Sequence, residues 1–129
     1  MKRQITNRSD IELLVGRFYD KVRQDELIGD IFNNAIDDWP AHLKTLSYFW
    51  ETNLLFVSQY KGNPPRVHAE VDKQTNHTID QKHFDRWILH WNNTLDEHFE
   101  GELAAMAKQR AKNIAGVLLS KIVAFRPDA

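Results

Sequence analysis

Gly62-Asn63-Pro64-Pro65-Arg66-Val67-His68-Ala69-Glu70-Val71 is the stretch on which the arrangement of the chain turns. It is dense in Gly and Pro, and it carries a histidine between two apolar neighbours. Adjacent prolines fix φ and remove backbone donors, so no helix runs smoothly through them. The chain takes a new direction there, and His68 lies about one turn into the new segment. On its own the stretch fits a histidine at a helix start on a surface turn. It fits less readily, on this stretch alone, an imidazole presented to a metal or cofactor. The elements on either side weigh these readings against each other.

Upstream, Asp38-Trp39-Pro40 reads as a helix start, with a capping aspartate and a proline in the first turn, where its missing N–H does no harm. Leu43, Leu46, Phe49, Trp50, Leu54 and Val57 continue an apolar face to about residue 57. His42 precedes Leu46 by four residues and Phe49 by seven, which places it on that inward face. Tyr60-Lys61-Gly62 ends the element. Further back, Ser9-Asp10-Ile11-Glu12 has the form of a capping box with Ser9 as its cap. Ile11, Leu14, Val15, Phe18 and Val22 come next at helical spacing, with Tyr19 at the edge of the stripe. A short helical piece is expected over residues 26–32, and Asn33-Asn34 and Asp37-Asp38 punctuate the connection to the next helix.

Downstream, residues 72–77 are polar and read as a loop. Thr78-Ile79-Asp80-Gln81 repeats the capping-box pattern, and Phe84, Trp87, Ile88, Trp91 and Leu95 form a strong helical stripe. Glu100-Gly101 breaks it. A last helix is expected from about Glu102 to Phe125, with Leu103, Met106, Ala107, Arg110, Ile114, Val117, Leu118, Ile122 and Phe125 mostly inward. No segment alternates with period two, so the pattern predicts an all-α domain over residues 1–129, with about five helices.

Composition narrows the function classes. The net charge of the 129 residues is -1, which gives no electrostatic pull toward nucleic acid or an anionic membrane. There is no cysteine, which excludes disulfides, thiolate-bound zinc, iron–sulfur clusters and covalently attached c-type haem. No stretch has signal-peptide or membrane-spanning character, so the expectation is a soluble, cytoplasmic protein.

The helix that begins near Trp39 has roughly 18 residues and a length of about 27 Å. After the Pro-Pro turn the chain can return toward its middle, so a flat cofactor could lie with His42 on one face and His68 on the other. Neutral imidazole is a strong ligand for iron, and haem proteins commonly use one. A haem pocket also needs large apolar side chains, and Phe18, Phe32, Leu46, Phe49 and Trp87 are available. Trp39, Trp50 and Trp91 read as packing residues, and His77, His83, His90 and His98 as surface or helix-edge residues.

Six motifs taken in order carry a family resemblance. They are Phe18-Tyr19-Asp20-Lys21-Val22, Ile31-Phe32-Asn33-Asn34-Ala35-Ile36, Trp39-Pro40-Ala41-His42, Phe49-Trp50, Val67-His68 and Phe84-Asp85-Arg86-Trp87. Each is weak alone, but the ordered set, spanning about residues 5–125, resembles the group III truncated haemoglobins. The resemblance implies a shortened globin fold, a two-over-two helical sandwich around haem b. By that resemblance His68 is the proximal iron ligand, Tyr19, His42 and Trp87 are distal ligand-binding residues, and Phe32 packs against the haem. Arg66 and Lys61 flank the proximal segment as candidate propionate partners. The segment 70–77 is more polar than the family pattern leads one to expect. The implied function is reversible binding of dioxygen or another diatomic gas, as in oxygen transport. The alternatives are redox chemistry on nitric oxide or peroxide, of the peroxidase or nitric-oxide dioxygenase kind and supplied by an unidentified reductase, and a non-haem helical interaction module. Neither nucleic acid nor membrane is expected as a partner.

Overall fold

The structure is a computed structural model that describes residues 2–55, 68, 71–73 and 79–125. Its long elements are α1 (Arg8–Arg23), α2 (Gly29–Ala35), α3 (Trp39–Leu55), α4 (Gln81–His98) and α5 (Glu102–Phe125). His68 and residues 71–73 are helical as well. Among the described residues there is no strand, only one isolated bridge between Arg3 and Phe99. α1 packs on α3 and α4 packs on α5, and the two pairs stack through the contact of α1 with α4. This is the two-over-two sandwich.

The capping chemistry differs from the expected boxes in two places. α1 is capped by Asn7 rather than Ser9: the Asn7 side chain accepts from the Asp10 N–H at 3.1 Å, and Asp10 reaches back to accept from the Thr6 N–H at 2.9 Å. α4 is capped by Asp80, whose own N–H donates to His83 Nδ1 at 3.0 Å. His83, read as a helix-edge residue, is thus half of that cap. Asp38 does cap α3, accepting from the Ala41 N–H at 3.1 Å. α2 begins three residues later than expected, because a turn occupies the preceding residues. Asp25 Oδ1 holds that turn by accepting from the N–H groups of Leu27 at 2.7 Å and Ile28 at 3.1 Å. The polar run after His68 is not all loop: Asp72 is helical, buried, and accepts from the Ile79 N–H at 3.0 Å. The far end of α3, expected near residue 57, lies outside the described residues.

Ile11, Leu14, Val15, Phe18 and Val22 are fully buried, so the α1 stripe is the core seam of the molecule. α5 spans the expected residues and starts after Gly101, whose φ of +96° suits glycine. Its inward row is Ala104, Ala107, Ala111, Ala115, Leu118 and Ile122. Val117 is 54% exposed, contrary to expectation, because it lies about 100° around the helix from Leu118. Small alanines let α5 approach α4 closely enough for the Trp91 indole N–H to donate to the Ala107 carbonyl at 3.1 Å.

The buried residues form two clusters. One is centred on α1 and the aromatic pair Trp50 and Trp91, and the other gathers Ile79, Phe84, Ala115, Leu118 and Ile122. Trp87 and Ile114 are half-buried at the margin of both.

Candidate functional site

Tyr19 follows Phe18 at the edge of the α1 stripe, and the fold buries it to 4% exposure. Its ring meets four others edge-on or tilted: Phe18 at 4.7 Å, Trp39 at 5.5 Å, His42 at 5.5 Å and Phe32 at 5.8 Å between centroids. The Trp87 side chain lies close enough to the Tyr19 hydroxyl to act on its ionisation. Burial drives the phenol far above the usual tyrosine range, with the neighbouring Trp87 side chain working weakly against it, so the hydroxyl stays protonated. Three elements therefore converge on one phenol: α1 supplies it, α3 brings His42 and Trp39, and α4 brings Trp87.

His42 lies in the first turn of α3, held by the Asp38 cap. Its Nε2 is buried, with no hydrogen-bond partner among the described residues. Burial lowers its affinity for a proton, and the nearby His68 lowers it further. The two imidazoles are thus close enough to feel each other's charge. His68 itself is half-buried.

Phe32, Leu43, Leu46, Phe49 and Trp87 are half-buried against the first cluster, and Ile31, Val71 and Ile88 against the second. Large apolar side chains left half-covered between two cores suit an apolar occupant. Phe18 stands behind them, 1% exposed, with its ring edge-on to Trp87 at 5.5 Å and to Trp91 at 5.0 Å. Arg66 and Lys61 lie outside the described residues.

The site contains residues that the sequence did not single out. Trp39, read as packing alone, meets both Tyr19 and, at 5.6 Å, His42, and carries the Arg23 guanidinium over its face at 4.3 Å. Its only sequence signal was its place in the Trp39-Pro40-Ala41-His42 motif. Trp50 and Trp91 are core residues as expected, stacked at 4.4 Å. His90 is not a simple surface histidine, since its Nε2 lies 2.6 Å from the buried carboxylate of Asp25.

No family model matches the chain. A curated relative does: it is 32% identical over 119 residues to the group 3 truncated hemoglobin ctb of Campylobacter jejuni, covering 89% of this chain and 90% of the relative. The chain belongs to the group III truncated haemoglobins. A crystal structure of a group III truncated hemoglobin from Campylobacter jejuni superposes with a TM-score of 0.84 at 30% identity, covering 99% of this chain and all of that one. The truncated haemoglobin fold accounts for the two helix pairs, and membership implies a haem cofactor. The residues present fit such a group: an orphaned buried imidazole nitrogen, a second imidazole within electrostatic reach, and half-covered apolar walls. Among the described residues no helix is long and apolar enough to cross a membrane.

Proposed function

We propose that this truncated haemoglobin holds a b-type haem through His68 and reversibly binds dioxygen, or a similarly polar diatomic gas, on the side where Tyr19, Trp87 and His42 converge. The observation that carries the reading is the buried Tyr19 hydroxyl with Trp87 beside it and an unpartnered His42 Nε2 on the same side. The absence of cysteine favours non-covalent attachment. Haem supplies the iron at which a diatomic gas binds; the chain supplies the rest. His68 contributes a neutral imidazole nitrogen. Phe32, Leu46 and Phe49 exclude water from the flat faces of the group. Tyr19 and Trp87 offer two uncharged donors, which favour a ligand with partial negative charge over an apolar one. Arg66 is proposed as a propionate partner.

The test is an absorption spectrum of the purified protein beside that of His68→Gly. The intact chain should carry haem and give the spectrum of a histidine-ligated ferrous iron. His68→Gly should lose haem, or keep it only with added imidazole, because Glu70 and Asp72 are hard oxygen donors ill-suited to iron in haem. A normal histidine-ligated spectrum in His68→Gly without imidazole overturns the assignment.

A further inference from the structure

Asp25 sits where α1 turns into α2, and its side chain is only 2% exposed. A buried carboxylate must have its charge compensated, and here both oxygens have directed partners. Oδ1 accepts from the N–H groups of Leu27 and Ile28. Oδ2 accepts from Arg86 Nη1 at 2.9 Å and pairs with His90 Nε2 at 2.6 Å. Arg86 and His90 are one turn apart on α4, on the face next to the one that carries Trp87 and Trp91. These donors outweigh the burial that opposes ionisation, so the carboxyl is held below its ordinary range.

A path of contacts leads from this carboxylate through the gas-binding side and back. From Asp25 the turn leads to Ile28, whose carbonyl accepts from the Phe32 N–H at 3.3 Å. The Phe32 ring meets Tyr19, Trp87 lies beside the Tyr19 hydroxyl, and Trp87 adjoins Arg86, which returns to Asp25. Apolar packing alone holds two elements together while leaving them free to slip or rotate by small amounts. Two directed bonds to residues four apart on α4 fix both its height and its rotation against the α1–α2 corner. On the adjacent face Phe18 packs edge-on against Trp87 and Trp91, so the indoles are held from both sides.

We propose that the Asp25–Arg86–His90 cluster is a positioning clamp that sets the register of α4 against α1, and so holds the Trp87 indole beside the Tyr19 hydroxyl and tunes gas selectivity without touching the ligand. The proposal rests on the reading of Tyr19 and Trp87 as ligand donors. Asp10 is the natural control. It too is a buried carboxylate paired with an arginine, Arg3 at 2.6 Å, but it lies nine residues before Tyr19 on α1, about 13 Å away along the axis.

The experiment compares Asp25→Asn, Asp10→Asn, Arg86→Met and Tyr19→Phe in the haem-loaded protein. The readouts are the melting temperature, the Trp87 indole N–H proton resonance of the carbon monoxide form (assigned with Trp87→Phe), and the oxygen and carbon monoxide release rates. Both aspartate variants should melt lower. Only Asp25→Asn should move the Trp87 resonance and raise oxygen release about threefold or more, with a smaller change for carbon monoxide. Should Asp25→Asn not fold, Arg86→Met decides by the same readouts, since its side chain is 41% exposed and the substitution keeps an apolar stem. An unmoved Trp87 resonance with an unchanged ratio of the two release rates overturns the clamp. Failure of the underlying reading looks different: Tyr19→Phe itself then leaves oxygen release unchanged.

Discussion

The Tyr19 hydroxyl is the group on which selectivity for a gas depends in the proposed reading. Burial keeps it protonated at any physiological pH, so it acts as a neutral donor. A hydrogen bond to a group bearing charge is worth about 1.5–3 kcal/mol, or roughly a tenfold to hundredfold change in a release rate. Tyr19→Phe keeps the ring and its contacts with Phe18, Phe32 and Trp39. Stopped-flow measurement should find oxygen released at least about tenfold faster, with a much smaller effect on carbon monoxide. Trp87→Phe should act in the same direction, and the double variant less than additively, because the two donors share one acceptor. Equal effects on both gases would mean that Tyr19 acts by shape alone. His42 is proposed to guard ligand entry from the α3 side, so His42→Ala should speed association of both gases. Unchanged association would remove His42 from the path.

At the scale of elements, the α1–α2 corner is a tight joint. A Cβ built on Gly29 would stand 2.8 Å from the Arg23 carbonyl oxygen and 3.2 Å from that of Val22, both backbone atoms that cannot swing aside. Gly29→Ala should therefore lower the urea midpoint by the equivalent of about 1–3 kcal/mol, the range for overpacking. Because α2 carries Phe32 onto Tyr19, the same variant should disturb the gas-binding side. Gly116 gives the opposite expectation. It lies within α5 with nothing within 4 Å of its would-be Cβ, so Gly116→Ala should stabilise by about 0.5–1 kcal/mol through helix propensity. A denaturation curve for each variant settles both signs.

For the molecule as a whole, the buried carboxylates shape the response to acid. Asp10 and Asp25 both titrate below the ordinary carboxylate range when folded, because hydrogen bonds and arginines overcome burial. In the unfolded chain an aspartate titrates near about 3.9. A folded value below the unfolded one means that each contributes stability above that pH and loses it as pH falls through the folded value. Melting temperature against pH should thus hold level toward neutrality and drop steeply below about pH 4. Asp10→Asn should melt lower at pH 7 and show a shallower acid limb. An acid limb of unchanged steepness would locate the acid sensitivity elsewhere.

Local pattern determined much of this protein. The period of the α1 stripe, the Asp38-Trp39-Pro40 start, the Gly101 stop and the Glu102–Phe125 span were all readable, because neighbours three and four apart on one helix share a face whatever surrounds them. The ordered motifs named the group III truncated haemoglobins, and that family stands. The inward face of His42 was also legible from its spacing to Leu46 and Phe49, whereas its nearness to Tyr19 was implied only by the family resemblance. The tertiary structure alone decided the relations between helices. Which of several capping residues wins at α1 and α4 depends on side chains reaching across a turn. Trp39 joined the site because α3 leans on α1. Asp25, one charged residue among several in its stretch, became a buried acceptor only when α4 brought Arg86 and His90 to it, 61 and 65 residues along the chain. A charge's burial and its partners are set by packing between distant segments, and no periodicity within one helix records them.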